Sequence, residues 1–167
     1  NTSMWPSSGT VVSEIMGYCA LYNIVYVTEV VSNRSAYFTD PGIANYISEL
    51  VTIPKDAREG MLTETFAYTE LNRLYQRSAG KRQVRGDKPC FSVCGDYELD
   101  FLVVDNEDRR FGIEVKTSGN RARSLLFYQE KGMVDYGFRA VPSRGGKGAK
   151  VSTIPIYLVG VGFPYGV

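Results

Sequence analysis

Two acids and a lysine, Asp100, Glu114 and Lys116, fall within one short stretch of the chain and together form a candidate reactive centre. The polar run Asp105 to Arg109 divides the stretch ELDFLVVDNEDRRFGIEVKTS, residues 98 to 118, into two strands. A hairpin centred on Glu107 pairs 104 with 110, 102 with 112 and 100 with 114, so Asp100 faces Glu114. Strand alternation then puts Leu99, Phe101, Val103, Phe111, Ile113 and Val115 on one apolar face and Asp100, Glu114 and Lys116 on the other. Two carboxylates facing each other across a sheet, with Cβ atoms roughly 5 Å apart, repel unless a positive charge intervenes. A divalent cation is the simplest remedy, and hard oxygen donors without His or Cys suit Mg²⁺ or Mn²⁺. Lys116 can place its ammonium beside a metal-bound water or a scissile phosphate. The same pattern also fits a half-exposed hairpin in which Glu114 and Lys116 pair with each other or with solvent.

These side chains need elements to hold them. Pro54 opens a helical segment that runs to about Ser78, with Asp56 and Glu59 in its early turns, where acids suit the helix dipole. Glu64, Ala67, Tyr68, Leu71, Leu74 and Tyr75 share one face, so Glu64 is a carboxylate on an otherwise apolar stripe. Glu70, with Arg73 at the next turn, reads as a surface ion-pair partner. From Pro89 the period changes to two, predicting strands at 90–94, 97–104 and 110–117. A helix at about 122–131 and strands at 135–141 and 153–160 follow. This order predicts an α/β fold, a mixed sheet flanked by helices. Loop 142–150 (PSRGGKGAK) is no P-loop, because Lys147 is followed by Gly148 and then a strand; it reads as a mobile surface loop. Upstream, a helix at 11–22 and a hairpin from IVYVTEVV and AYFT read as the tail of a winged-helix-like unit, its hairpin either a DNA-touching wing or structural packing, and a short connecting helix runs from Gly42 to Leu50.

The 167 residues suffice for one domain of ordinary size, and with 44% hydrophobic and 22% charged residues the composition is globular. There is no histidine, which excludes Ser-His-Asp and Cys-His catalysis and histidine metal sites. Three cysteines, Cys19, Cys90 and Cys94, fit reduced thiols in a cytoplasmic protein, and Cys90 and Cys94 read as core residues. No apolar run is long enough for a membrane span. The net charge of +1 hides a split: residues 1–70 carry three basic and eight acidic side chains, residues 71–167 sixteen and ten. Arg73, Arg77, Lys81, Arg82, Arg85 and Lys88 form either a phosphate-facing strip or a solvated helix end and loop. The chain begins at Asn1 without an initiator Met or a signal-peptide pattern, and is expected to be a piece of a longer protein.

With Glu64 on a helix, then Asp100, then Glu114, Val115 and Lys116, the chain resembles the PD-(D/E)XK nuclease-like superfamily. The runs AYFTDPGIANYI, LTETFAYTEL, ELDFLVV, GIEVKTSGN, SLLFYQEKG and IPIYLVG are similar in their order to the C-terminal domain of unknown function of bacterial and archaeal AAA-type ATPases. The resemblance implies a restriction-endonuclease-like core over 51–167, with residues 1–50 as a winged-helix-like remnant and connecting helix. It implies a P-loop ATPase, and hence ATP, in a preceding part of the polypeptide. It also implies metal held by Asp100, Glu114 and the Val115 carbonyl, with Lys116 positioning the attacking water and Glu64 orienting a metal-bound water. The expected activity is hydrolysis of a phosphodiester, with DNA as partner. The alternative is a noncatalytic module that binds nucleic acid or protein and regulates the ATPase. Arg121 and Arg123, near an Asn120 helix cap, and Lys81 and Arg82 are weaker candidates for phosphate contact, against the reading that they are ordinary solvated residues. Gln129 falls where related nucleases often keep a polar auxiliary residue, or is a surface residue.

Overall fold

The computed structural model describes residues 25–30, 33–51, 53–79, 88–105, 107–117, 122–148 and 150–161. The helix expected at 11–22, Cys19, and Lys81, Arg82 and Arg85 of the basic strip lie outside them. Strands β1 (Val25–Val30) and β2 (Asn33–Phe38) form an antiparallel hairpin with Val25 opposite Phe38. Helix α1 (Pro41–Leu50) starts where Asp40 caps it, its carboxylate accepting from the Gly42 and Ile43 N–H groups at 2.6 and 3.2 Å. Pro41 opens the helix, where a missing N–H costs nothing. Helix α2 (Lys55–Ala79) follows after a short break.

The second sheet joins β3 (Cys90–Cys94), β4 (Tyr97–Val104), β5 (Arg110–Val115), β6 (Tyr136–Val141) and β7 (Val151–Pro155) in that spatial order. β3, β4 and β5 pair antiparallel with one another, whereas β6 runs parallel to both β5 and β7. Helix α3 (Arg123–Glu130) makes the crossover that parallel pairing of β5 and β6 requires. The start of that pair is clamped by Arg110, whose N–H and guanidinium donate to the Asp135 carboxylate while Asp135 N–H returns a bond to the Arg110 carbonyl. Cys90 and Cys94 are half-buried in β3. The fold is therefore α/β, a mixed five-stranded sheet flanked by helices, as the change of period predicts.

α2 covers one face of this sheet. Its Ala67, Tyr68 and Leu71 bury against Phe101, Phe111, Ile113, Val115, Phe138 and Ala140. Tyr37 of β2 belongs to the same cluster and stacks on Tyr68 with ring centroids 4.4 Å apart. On the opposite face Leu125 and Tyr128 of α3 bury against Leu99 and Val134. Gly112 is what lets α3 approach, since a Cβ there would meet Leu125, Leu99 and Val134 at 2.9 to 3.2 Å.

Three expectations need correction. Leu99 does not share the apolar face of Phe101; it lies under α3. From Ser92 opposite Leu99 to Cys90 opposite Leu102, β3 advances two residues while β4 advances three. The extra residue is a β-bulge at 100–101, and one inserted residue reverses the alternation beyond it. The last strand stops at Pro155, which has no N–H to continue the ladder, and the chain turns into a 3-10 helix, Ile156–Val161, whose Val159 joins the α2 core. Residue 122, not Asn120, occupies the cap position of α3, and Ala122 offers no side-chain cap bond. Part of loop 142–150 folds back on the sheet, where Gly146 and Thr153 exchange backbone bonds of 2.8 and 2.7 Å.

Candidate functional site

The β4–β5 hairpin closes through Asp105, whose carboxylate accepts from the N–H groups of Glu107 and Arg109 and from the Arg109 guanidinium. This turn sets the expected register, Val104 opposite Arg110 and Leu102 opposite Gly112. Asp100 sits in the bulge, and its Oδ2 accepts the Val115 N–H at 2.6 Å, so the two strand ends are tied by the acid itself. Glu114, one residue earlier, is 5% exposed. Its Oε1 pairs with Lys116 Nζ at 3.0 Å, while its buried Oε2 has no hydrogen-bond partner among the described residues. Lys116 is anchored through its own N–H, which donates to the Ala140 carbonyl of β6 at 2.9 Å. Glu64, half-buried on α2, feels the charges of Asp100, Lys116 and Glu98.

The electrostatics follow from burial. Desolvation pushes the Glu64 carboxyl up to about 7, with the Asp100 and Glu98 charges adding to it and Lys116 opposing. Desolvation likewise pushes Asp100 up to about 6, helped by Glu114 and Glu98 and opposed by the Val115 hydrogen bond and Lys116. Burial acts to lower the Lys116 pKa, but its hydrogen bond to Glu114 and the charges of Asp100, Glu114 and Glu64 leave it above the ordinary lysine value. Lys116 is thus a fixed cation near Asp100 and Glu64, two carboxyl groups that hold protons more tightly than usual.

A hard cation fits this donor set in its chemistry. Glu114 offers a buried oxygen that no other described residue satisfies, and burial has taken Asp100, which feels the Glu114 charge, out of water. Among the described residues no three His, Cys, Asp or Glu side chains group closely enough to hold a metal by themselves. An ion here would need main-chain oxygen and water to complete its shell, as Mg²⁺ commonly does.

The other expected residues fall elsewhere. Arg123 is exposed at the start of α3, and Arg121, Lys81 and Arg82 lie outside the described residues. Gln129 is half-buried, and its Nε2 donates to the Lys150 carbonyl at 2.9 Å, tying α3 to the chain before β7. The outlying Glu70 pairs with Arg73 at 2.6 Å, as its spacing predicts. Two residues that the spacing arguments passed over join the site through the sheet. Arg139 stands opposite Glu114, and Thr153 stands opposite Arg139, so the three form one row across β5, β6 and β7. A lone Arg inside the apolar strand YGFRAV was the available signal.

No family model and no curated protein matches the chain. Among solved structures the chain is similar to protein VC1899 from Vibrio cholerae, at 12% identity and a TM-score of 0.35. That match covers 90% of this chain and 40% of the other. The chain thus spans about two fifths of that protein's length. Among the described residues no helix is long and apolar enough to cross a membrane.

Proposed function

We propose that this chain is a PD-(D/E)XK-type, metal-dependent phosphodiester hydrolase domain of restriction-endonuclease-like fold, carried at the C-terminus of an AAA-type ATPase with DNA as substrate. The β1–β2 hairpin would be the remnant of its winged-helix element. The observation that carries the reading is the buried, unsatisfied Glu114 Oε2 in a carboxylate that shares its site with Asp100 and Lys116. The order helix, three strands, helix, strand supports it as well. Asp100, Glu114 and the Val115 carbonyl would hold Mg²⁺ or Mn²⁺, which when bound supplies charge neutralisation of the phosphate and acidification of water. Lys116 would hold the phosphate and the nucleophilic water by its ammonium. Glu64, its carboxyl raised to about 7, would take up a proton at physiological pH.

The test is incubation of the full chain with linear, branched and single-stranded DNA plus Mg²⁺ or Mn²⁺, beside Lys116→Ala. Cleavage that requires metal and falls at least about a hundredfold in the variant supports the assignment. Cleavage indifferent to Lys116→Ala comes from another enzyme and overturns it. That no three His, Cys, Asp or Glu side chains group together among the described residues favours the second reading, a noncatalytic nucleic-acid or protein interaction module that regulates the ATPase. In that case calorimetry finds no Mn²⁺ binding at millimolar concentration.

A further inference from the structure

Past Glu114 the row Glu114, Arg139, Thr153 opens into a cavity of about 450 Å³. It lies beyond the carboxyl ends of the parallel strands β5 and β6, the crevice where α/β sheets receive ligands. Lys116, Arg139 and Arg144 line it together with Thr117, Ser143 and Thr153, and among the described residues no Asp or Glu belongs to its lining, although Lys116 Nζ is paired with Glu114 Oε1 at 3.0 Å. Arg139 Nη2 donates to Thr153 Oγ1 at 3.0 Å, which fixes the plane of the guanidinium. Arg144 forms no ion pair with the described residues and is exposed at the rim.

The wall carrying Arg144 is held in place. A Cβ on Gly145 would lie 2.6 Å from the Thr153 carbonyl oxygen and 2.8 Å from Pro155 Cδ, so glycine alone lets the loop press this closely on β7. The reciprocal Gly146–Thr153 bonds pin the next residue. Two arginines, a lysine and three hydroxyl-bearing residues around one concavity match the oxygens of a phosphate.

We propose that this cavity seats a phosphate group of a nucleic-acid strand, adjacent to the phosphodiester held at Lys116. The inference rests on the hydrolase reading for the presence of a strand there, while the cavity's own preference for phosphate follows from its lining. Arg139 supplies the oriented fork and Arg144 the charge at the mouth. The seated group is either a terminal monoester or an internal diester of the strand.

Anisotropy of a short single-stranded oligonucleotide, bearing a 5′-phosphate or a 5′-hydroxyl, tests this with the full chain in EDTA over a range of salt. Arg144→Glu is expected to weaken binding at least about tenfold and to reduce the slope of log K against log salt by about one. A larger loss for the 5′-phosphorylated strand assigns the terminal monoester; equal losses assign an internal phosphate. Arg139→Lys, which keeps the charge but not the fork, should weaken binding as well, with circular dichroism reporting its fold. Binding by Arg144→Glu within about twofold of wild type, at an unchanged salt slope, overturns the proposal. Metal-dependent cleavage is scored separately. Arg144-dependent binding without cleavage keeps this site and removes the hydrolase reading, whereas cleavage with Arg144-independent binding does the reverse.

Discussion

Asp100 and Glu64 pay for their positions in acidity. Both carboxyls are raised, to about 6 and about 7, with desolvation as the leading cause. A folded-state pKa above the unfolded one means that the native protein binds the proton more tightly. The stability these groups give is therefore complete below about pH 4 and is lost as pH rises through 6 and 7. Asp100→Asn removes that loss while keeping an oxygen for the Val115 N–H. It is expected to stabilise the metal-free protein by about 1–2 kcal/mol at pH 8 and by much less at pH 4. Urea unfolding at the two pH values checks this, and equal destabilisation at both would mean that Asp100 serves the hairpin as a structural acceptor. At this scale the sequence exposes what spacing encodes: one turn and the period of β5 set Glu114 and Lys116, whereas Asp100 reaches the Val115 N–H through the bulge. Arg139 and Thr153 escape because they join the row through parallel pairing, and local spacing carries no register for strands separated by a crossover helix.

The elements show the same division. Period-two stretches mark β3 to β6 closely, and the apolar stripe marks α2, because burial on one face leaves its period in the chain. The bulge leaves no such mark. It follows from how β3 and β4 fit side by side, so Leu99 exchanges faces without any local signal, and Asp100 is re-aimed at the end of β5. The turn from β7 into the 3-10 helix was readable at Pro155, although the apolar run IPIYLVG overrides it in a simple count. Gly112 is the contact that sets α3 on the sheet. Gly112→Val should destabilise by about 2 kcal/mol, because the new methyls meet Leu125, Leu99 and Val134 inside a packed cluster. A shift in the urea midpoint measures it. An unchanged midpoint would show that α3 can lift from the sheet at little cost.

For the whole molecule, the two faces of the sheet have separate duties. The α2 face and the hairpin residue Tyr37 share one apolar core, while the α3 face gives way to the polar row that runs from Glu114 to the Arg144 cavity. If a divalent cation binds among Asp100 and Glu114, it binds the folded chain and stabilises it by mass action. Mn²⁺ at about ten times its dissociation constant should then raise stability by about 1.4 kcal/mol at pH 8. Glu114→Gln should remove that increment, and thermal melts with and without metal read it directly. A metal effect of equal size in Glu114→Gln would place the ion elsewhere. The mixed α/β architecture was legible in the sequence, because it is the sum of local periods; the row across the sheet was not, because it exists only after the strands assemble.

The backbone exchange between Gly146 and Thr153 has a consequence for how copies of this protein meet. β7 is the last strand of its sheet, and a bare last strand presents donors and acceptors on which another chain can template. The folded-back loop occupies part of that rim. The same few residues that wall the basic cavity therefore also guard the molecule against edge-to-edge self-association.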